Sequence, residues 1–494
     1  MNGTEEAAEQ YAVRIGSVWN PEDNLRLSDV GLTDGDLLEG VGAFGEEAPY
    51  TFQMIASQAV AREYSYLILD FSNRYRNLAY AVEGARVLQL GKDLTLNPFD
   101  AEGLEAAEWV DLLLTALNQG YRLWSRDRRS LRRIMLEAHE LAEGRVLTLR
   151  EFESMVIEVE GEESPQFTSR ESLKETIDLL VHGSAYNALG GPQTLPASKL
   201  LSGLTVIELG GFTSLELRAF LQALVCLKIY ASRGPGTLPD RSILLLDSAE
   251  TLLPYRLSLP PDQRQPDLLL YLKELRQRGV GIHISATCPS ELDAEAFSLI
   301  GVRVWHRMNS GSDILAAGRE LKTSTPIYAL IRGLESNQAL VDLLSSGDPL
   351  LAVLDRPSWL FLEPPTQERL EEAMRRGGFP VEQLRQEKEA QVTRNMLERQ
   401  FEEDAQIAYE ALKALSGMEG VTTASLTQSM LGMHPQDRVL NVIRTLREYG
   451  FIGSKRVTKP HEMWLLKITD KGARAIAEWE SRGQSKLEDS TEGG

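Results

Sequence analysis

The chain of 494 residues has only two cysteines, Cys226 and Cys288, both in apolar contexts. That excludes a disulfide framework and a cysteine-rich metal site, and it suits a reducing cytoplasm. Its apolar runs are no longer than a strand, so no segment is expected to span a membrane. The opening MNGTEEAAEQ is acidic and polar, unlike a signal peptide. Positive charge is scarce: 52 Lys+Arg stand against 72 Asp+Glu, for a net charge of −20. Such a polyanion is a poor general nucleic-acid binder, although a local basic patch can still bind. No repeat occurs at solenoid periods. His434 and His461 have no partner at metal-ligand spacing and read as surface residues. The length calls for two to four domains, each able to bury a core.

Asp36–Phe52, DLLEGVGAFGEEAPYTF, is the stretch that organises the rest. It reads as a buried strand, a glycine-rich turn through Gly40, Gly42 and Gly45, and the start of a helix. Gly40 and Gly45 have the G-x-x-x-x-G spacing of a phosphate-binding loop, in which backbone N–H groups wrap the phosphates. The next two residues should be Lys and Ser or Thr; they are Glu46 and Glu47. A carboxylate about 4 Å from a phosphate charge costs roughly 4 kcal/mol at intermediate dielectric. The loop shape is present and its phosphate chemistry is not. The other reading of Gly40–Gly45 is a plain turn.

The helix continues through PYTFQMIASQAVARE, and SYLILDFSNRYRNL follows as a buried strand ending at Asp70. Strand, helix and strand in this order predict a βαβ unit with a parallel sheet. Residues 1–36 read as a short lead-in, with YAVRIGSVW as a candidate strand. Residues 37–101 and 188–362 form one α/β core, interrupted by an all-helical insertion at 102–187 in which Trp109, Tyr121 and Trp124 are expected core residues. Buried strands ending in polar residues recur at SGLTVIELGG, RSILLLDSAETLL, GVGIHISATCPSELD and GVRVWHRMNSGSDI. Residues 363–416 read as charged connecting helices in solvent. Residues 417–480 read as helix, turn, helix and hairpin, a winged helix-turn-helix, and 481–494 as a disordered polar tail.

The order of these parts resembles the HerA/FtsK branch of RecA-like P-loop ATPases, which includes archaeal HerA-type helicases and the ATPases of type IV secretion. The resemblance rests on LDFSNRYRNL, LNPFD, TVIELGG, LLLDSAETL, GVGIHISATCPSELD and VWHRMNSGSDI, and covers roughly residues 37–355. It implies a RecA-like P-loop core with a mostly parallel sheet, assembly into a ring, and ATP-driven DNA translocation. It also shows what is missing. The P-loop Lys corresponds to Glu46 and the Mg²⁺-binding hydroxyl to Glu47. The acidic strand end, Asp-Glu-Ala-His in the family, reads Asp247-Ser248-Ala249-Glu250. Asp247 could still organise Mg²⁺. Ser248 cannot act as a general base near neutral pH, and Glu250, two residues on, is a conceivable rescue. The sensor Ala-Thr-Gln reads Ala286-Thr287-Cys288, and Arg307 stands where the family often places an arginine facing a neighbouring nucleotide.

Four changes, at the phosphate, metal, base and sensor positions, predict a fold that has lost hydrolysis. ATP and Mg²⁺ are expected as cofactors only if the degenerate site still binds them. The expected protein is cytoplasmic and oligomeric, with itself or with an active paralogue. DNA is expected on the winged helix through Arg438, Arg444 and Arg447 of its recognition helix and Lys455, Arg456 and Lys459 of its wing; a winged helix used for protein contacts is the other reading. An active translocase would need a cation in place of the missing Lys, with Lys92 or Arg74 nearest in sequence. A third reading is a winged-helix DNA-binding regulator.

Overall fold

A computed structural model describes residues 11–479, except 124, 143–145, 150, 153–176, 178–179, 182, 192–194, 235–240, 256–267, 322–326, 344–347, 380–396, 398–400, 402–403, 418–420, 432–433, 449–450, 458–462, 470–471, 474 and 477–478. The chain divides into two compact units, Met1–Val381 and Glu382–Gly494.

The first unit is built on one mixed sheet. Its strands are β1 (Val13–Asn20), β2 (Leu25–Leu32), β3 (Val41–Phe44), β4 (Ser65–Asp70), β5 (Arg86–Gln89), β6 (Leu204–Glu208), β7 (Ser242–Leu246), β8 (Val280–Ala286), β9 (Val302–Trp305), β10 (Gln338–Leu343) and β11 (Leu350–Leu354). Their spatial order is β2-β1-β11-β10-β9-β3-β8-β7-β4-β6-β5. From β9 to β5 every neighbour is parallel; from β2 to β9 every neighbour is antiparallel. The parallel strands are continuous apolar runs because helices cover both faces of such a sheet. In β4, β6, β7 and β8 nearly every residue is buried. This is the α/β, RecA-like P-loop architecture, with β3 central and its helix Ala48–Ala61 following directly.

Three boundaries differ from expectation. The lead-in is not separate: β1 and β2 extend the main sheet, with β1 paired to β11. Asp34–Glu39 is a helix, not a strand. A Thr33–Asp36 capping box starts it, each residue's side chain serving the other's backbone N–H. Finally, the span 363–416 is not all solvated connector. Helix Gln367–Arg376 belongs to the first unit and packs beside the edge strand β5. Helix Ala405–Ser416 buries Ile407, Ala408, Ala411, Leu412 and Leu415 in the core of the second unit.

Of the insertion, helices Ala106–Tyr121, Ser125–Leu141 and Gly183–Leu189 are described. Trp109 is fully buried and Tyr121 half-buried; Trp124 lies outside the described residues. The second unit holds helices Ala405–Ser416, Thr423–Met430 and Gln436–Glu448, then antiparallel strands β12 (Ile452–Val457) and β13 (Met463–Ile468). Leu466 N donates to Val421 O at 2.8 Å, tying the hairpin to the residues that lead into helix Thr423–Met430.

Candidate functional site

The parallel strands deliver their carboxyl ends to one edge of the sheet, where ligands of open α/β folds bind. The glycines do not form the expected loop there. Gly40 precedes β3 and Gly45 follows it, so the four residues between them are the strand itself. A Cβ on Gly40 would lie 2.2 Å from Leu299 O and 2.5 Å from Ile282 O. The strand needs this glycine to pass between backbones. Only Gly45, Glu46 and Glu47 connect β3 to helix Ala48–Ala61.

The amides that open the helix are satisfied within the turn. Ala48 N donates to Gly45 O, Tyr50 N and Thr51 N donate to Glu47 O, and Pro49 has no N–H. A P-loop wraps phosphate with these amides together with those of the loop itself; here Gly45 N donates to Ala286 O, while Glu46 N and Glu47 N make no hydrogen bond among the described residues. Glu46 is exposed. Glu47 is bound by Arg356 at 2.7 Å, and the same guanidinium donates to Ser336 O and lies over the Tyr50 ring. Thr51, in the first helical turn, is buried with its hydroxyl 3.0 Å from His306 Nε2. Burial, with the Arg356 charge nearby, holds His306 down to about 3, so the ring is neutral. Arg307, the next residue, is exposed, and among the described residues it makes no hydrogen bond or ion pair. Its carbonyl would lie 3.2 Å from a Cβ on Gly45.

A second cluster lies on the β4–β7–β6 side. Asp70, fully buried at the end of β4, accepts from the N–H groups of Ser72, Arg74 and Tyr75. Asp247, fully buried after β7, accepts from Tyr75 Oη at 3.2 Å and faces the Arg74 guanidinium at 3.6 Å. Burial raises both carboxyls above their ordinary range; each other's charge adds to this for Asp70, while Arg74 opposes it for Asp247. Glu208, at the end of β6, is clasped by Arg76 through both oxygens. The loop 72–76 therefore straps three acidic strand ends together. Arg74 is spent on Asp247, and Lys92 follows β5, five strands from β3, about 24 Å at ordinary strand spacing. Neither replaces the missing P-loop cation.

Ser248 takes a left-handed conformation, φ 52°, to turn the chain after Asp247. Glu250 Oε1 accepts from Thr287 N at 3.1 Å and Cys288 N at 3.4 Å, capping the end of β8, and its carboxyl still feels the charge of Asp247. Its other oxygen is buried with no hydrogen-bond partner. Burial lifts Glu250 to about 7 against those two donors, and lifts Cys288 to about 11, so the thiol stays protonated. Among the described residues no group of three metal-binding side chains occurs.

Glu250→Gln tests this geometry. The amide oxygen keeps both backbone donors. Because the native Glu250 pKa lies above the usual 4.5, native protein holds the extra proton between about pH 4.5 and 7 and loses stability as pH rises through that window. The variant's advantage over wild type is expected to be about 2–3 kcal/mol larger at pH 8 than at pH 5, read by urea titration.

In the second unit, Arg438 pairs with Asp404, and Arg444 Nη2 donates to Asn441 Oδ1 at 3.2 Å; Arg447 is exposed. Lys455 and Arg456 lie on β12 opposite Leu465 and Trp464. Lys459 lies outside the described residues. Sequence reasoning missed Arg356, Thr51, His306 and Tyr75. Only the polar run after Asp70 signalled any of them.

No family model matches the sequence, and no curated protein matches it. Solved structures do. The chain is similar to VirB4 of Thermoanaerobacter pseudethanolicus with a TM-score of 0.55 and 12% identity, over 70% of this chain and 97% of that one. It is similar to the unbound bacterial conjugative coupling protein TrwBdeltaN70 with a TM-score of 0.51 and 12% identity, over 66% of this chain and 87% of that one. It is similar to the plasmid coupling protein TrwB in complex with ADP and Mg²⁺, with a TM-score of 0.50 and 15% identity, over 68% and 89%. The chain thus shares its RecA-like α/β fold with these VirB4 and TrwB structures. No helix among the described residues is long and apolar enough to cross a membrane.

Proposed function

We propose that this protein is a non-hydrolysing subunit of a DNA-translocation or DNA-processing assembly. In this reading the RecA-like core serves for oligomerisation, with itself or an active paralogue. The second unit acts as a winged helix that contacts DNA or a partner. The observation that carries the reading is the turn 45–47. Three residues join strand to helix, the first-turn amides are consumed internally, and Glu47 is locked to Arg356. Mg²⁺–ATP does not fit these residues in the P-loop manner: no lysine is present, Thr51 is turned onto His306, and Asp247 is occupied by Arg74 and Tyr75. The coupling protein TrwB has been seen with ADP and Mg²⁺. The fold tolerates nucleotide; this chain's residues argue against it.

Arg307, exposed beside Gly45 and without a hydrogen bond or ion pair among the described residues, is suited to reach a nucleotide held by a neighbouring active subunit as an arginine finger. Loss of the neighbour's ATPase in Arg307→Ala, with assembly intact, supports that role; unchanged turnover removes it.

The experiment for the main reading uses the purified full chain, a fluorescent ATP analogue with and without Mg²⁺, and phosphate release with added DNA. No binding and no release are expected. Binding without turnover would make the protein a nucleotide-gated scaffold. DNA-stimulated release would restore a motor, with Glu250, poised near 7, as its candidate base. Sequence-specific DNA binding without assembly would favour a winged-helix regulator.

A further inference from the structure

The densest positive charge in the chain lies in the insertion, not in the second unit. Between Arg122 and Arg133 the sequence LWSRDRRSLR is flanked by arginines at both ends, giving six arginines against one acidic residue, Asp127. Most of this run is the first half of helix Ser125–Leu141. Leu131, Ile134, Met135 and Ala138 are buried along one side of that helix, while Arg129, Arg132 and Arg133 are exposed. Arg122, exposed in a left-handed cap at φ 50°, precedes them.

The charge order along the helix runs against stability. A helix favours acidic side chains at its N-terminus and basic ones at its C-terminus. Here the arginines crowd the N-terminal half, and Glu137 and Glu140 follow in the C-terminal half. Folding alone would favour the opposite order. The arginines are also weakly held. Arg132 pairs with Asp111 with both side chains about half exposed, and Arg133 with Glu137 at 3.8 Å; such exposed pairs add little. Arg129 has no hydrogen-bond or ion-pair partner among the described residues. Phosphate can compete for all three.

We propose that this arginine face is a nucleic-acid backbone contact, binding phosphates without sequence preference. The proposal rests on the reading of the protein as part of a DNA-handling assembly and names a surface for it. Helical spacing puts Arg129, Arg132 and Arg133 on adjoining turns of one face, and planar guanidinium groups bind phosphate through paired N–H donors. The partner is a polyanion of regular charge, and DNA matches this better than an acidic protein segment, because among the described residues no exposed apolar side chain lies between Arg129 and Arg133.

The test measures binding of the full chain to double-stranded DNA of two unrelated sequences across a salt series. It compares wild type, Arg129→Glu/Arg133→Glu and Arg444→Glu/Arg447→Glu, each checked by thermal melting. The insertion variant is expected to bind at least tenfold more weakly to both sequences, with the slope of log K against log salt reduced by about 2. Unchanged affinity in the insertion variant, with loss in the Arg444/Arg447 variant, would overturn this surface and leave the DNA reading standing. Wild-type binding to polyglutamate but not to DNA, abolished in the insertion variant, would assign the face to an acidic protein and overturn the proposal. No wild-type binding to either polymer in low salt would overturn both.

Discussion

Gly40→Ala is expected to destabilise the first unit by about 2–5 kcal/mol, enough at the upper end to unfold a marginal domain at 37 °C. Two costs combine. Gly40 sits at φ +104°, where an L-residue loses about 1–2 kcal/mol. Its Cβ would also meet the carbonyl oxygens of Leu299 and Ile282 at 2.2 and 2.5 Å. Those atoms cannot swing aside as a side chain could, because Gly301 N and Val302 N already donate to Gly40 O. Overpacking of this kind typically adds about 1–3 kcal/mol. Gly103→Ala is the control: φ is +91° but nothing lies within 4 Å, so only the conformational cost applies, about 1 kcal/mol. Urea titration of both variants decides the matter. Equal losses would mean that Gly40 is not wedged between backbones, and would reopen its assignment to a phosphate loop.

This glycine shows where sequence reasoning reached its limit. The G-x-x-x-x-G spacing is real, but spacing does not say whether the intervening residues are loop or strand. Val41–Phe44 is apolar enough to be a strand, and Thr33 with Asp36 is a capping signature that ends any strand reading of the preceding residues. Both local signals were present and outweighed by the motif. The parallel strands were legible because their burial leaves long apolar runs punctuated by polar ends, which is how Asp70, Asp247 and the residues after Val280 stood out. The antiparallel strands β1, β2, β10 and β11 were less legible, because their pairings join the two ends of the core.

The site was legible as a set of absences and hardly at all as a set of contacts. That Glu46 and Glu47 replace the phosphate-binding residues is visible in the sequence. That Arg356 neutralises Glu47 across 309 positions is not, since no periodicity encodes it. Glu250 reads in the sequence as a conceivable rescue for Ser248; a left-handed turn at Ser248 carries its carboxylate to the backbone of Thr287 and Cys288. Such a turn depends on packing beneath it rather than on a glycine in the sequence.

Lys228→Ala is expected to cost about 3–5 kcal/mol, because it removes one partner of a buried pair. Lys228 is fully buried in helix Leu215–Ser232. Its ammonium donates to Asp100 O at 2.7 Å, lies 3.7 Å from Glu102 and sits over the Trp109 ring at 4.9 Å. Trp109 in turn donates to Pro98 O, and Asn97 donates to Leu147 O. The LNPFD segment is thus the hinge on which the helical insertion leaves the core, and Lys228 pins it. The pair has a pH signature. Burial lowers Lys228 to about 8 against the pull of Glu102. Between pH 8 and about 10.5 the unfolded chain therefore binds the extra proton, and wild type gains stability relative to a neutral replacement as pH rises through that window. Lys228→Met keeps the packing volume but strands the Glu102 carboxylate, so it is expected to lose less than Ala. Lys228→Met with Glu102→Gln, which retains the acceptor for Ala197 N, is expected to recover most of the loss. Additive losses in that double-mutant cycle would show that no coupled pair exists there, and that the insertion is held by Trp109 and Asn97 alone.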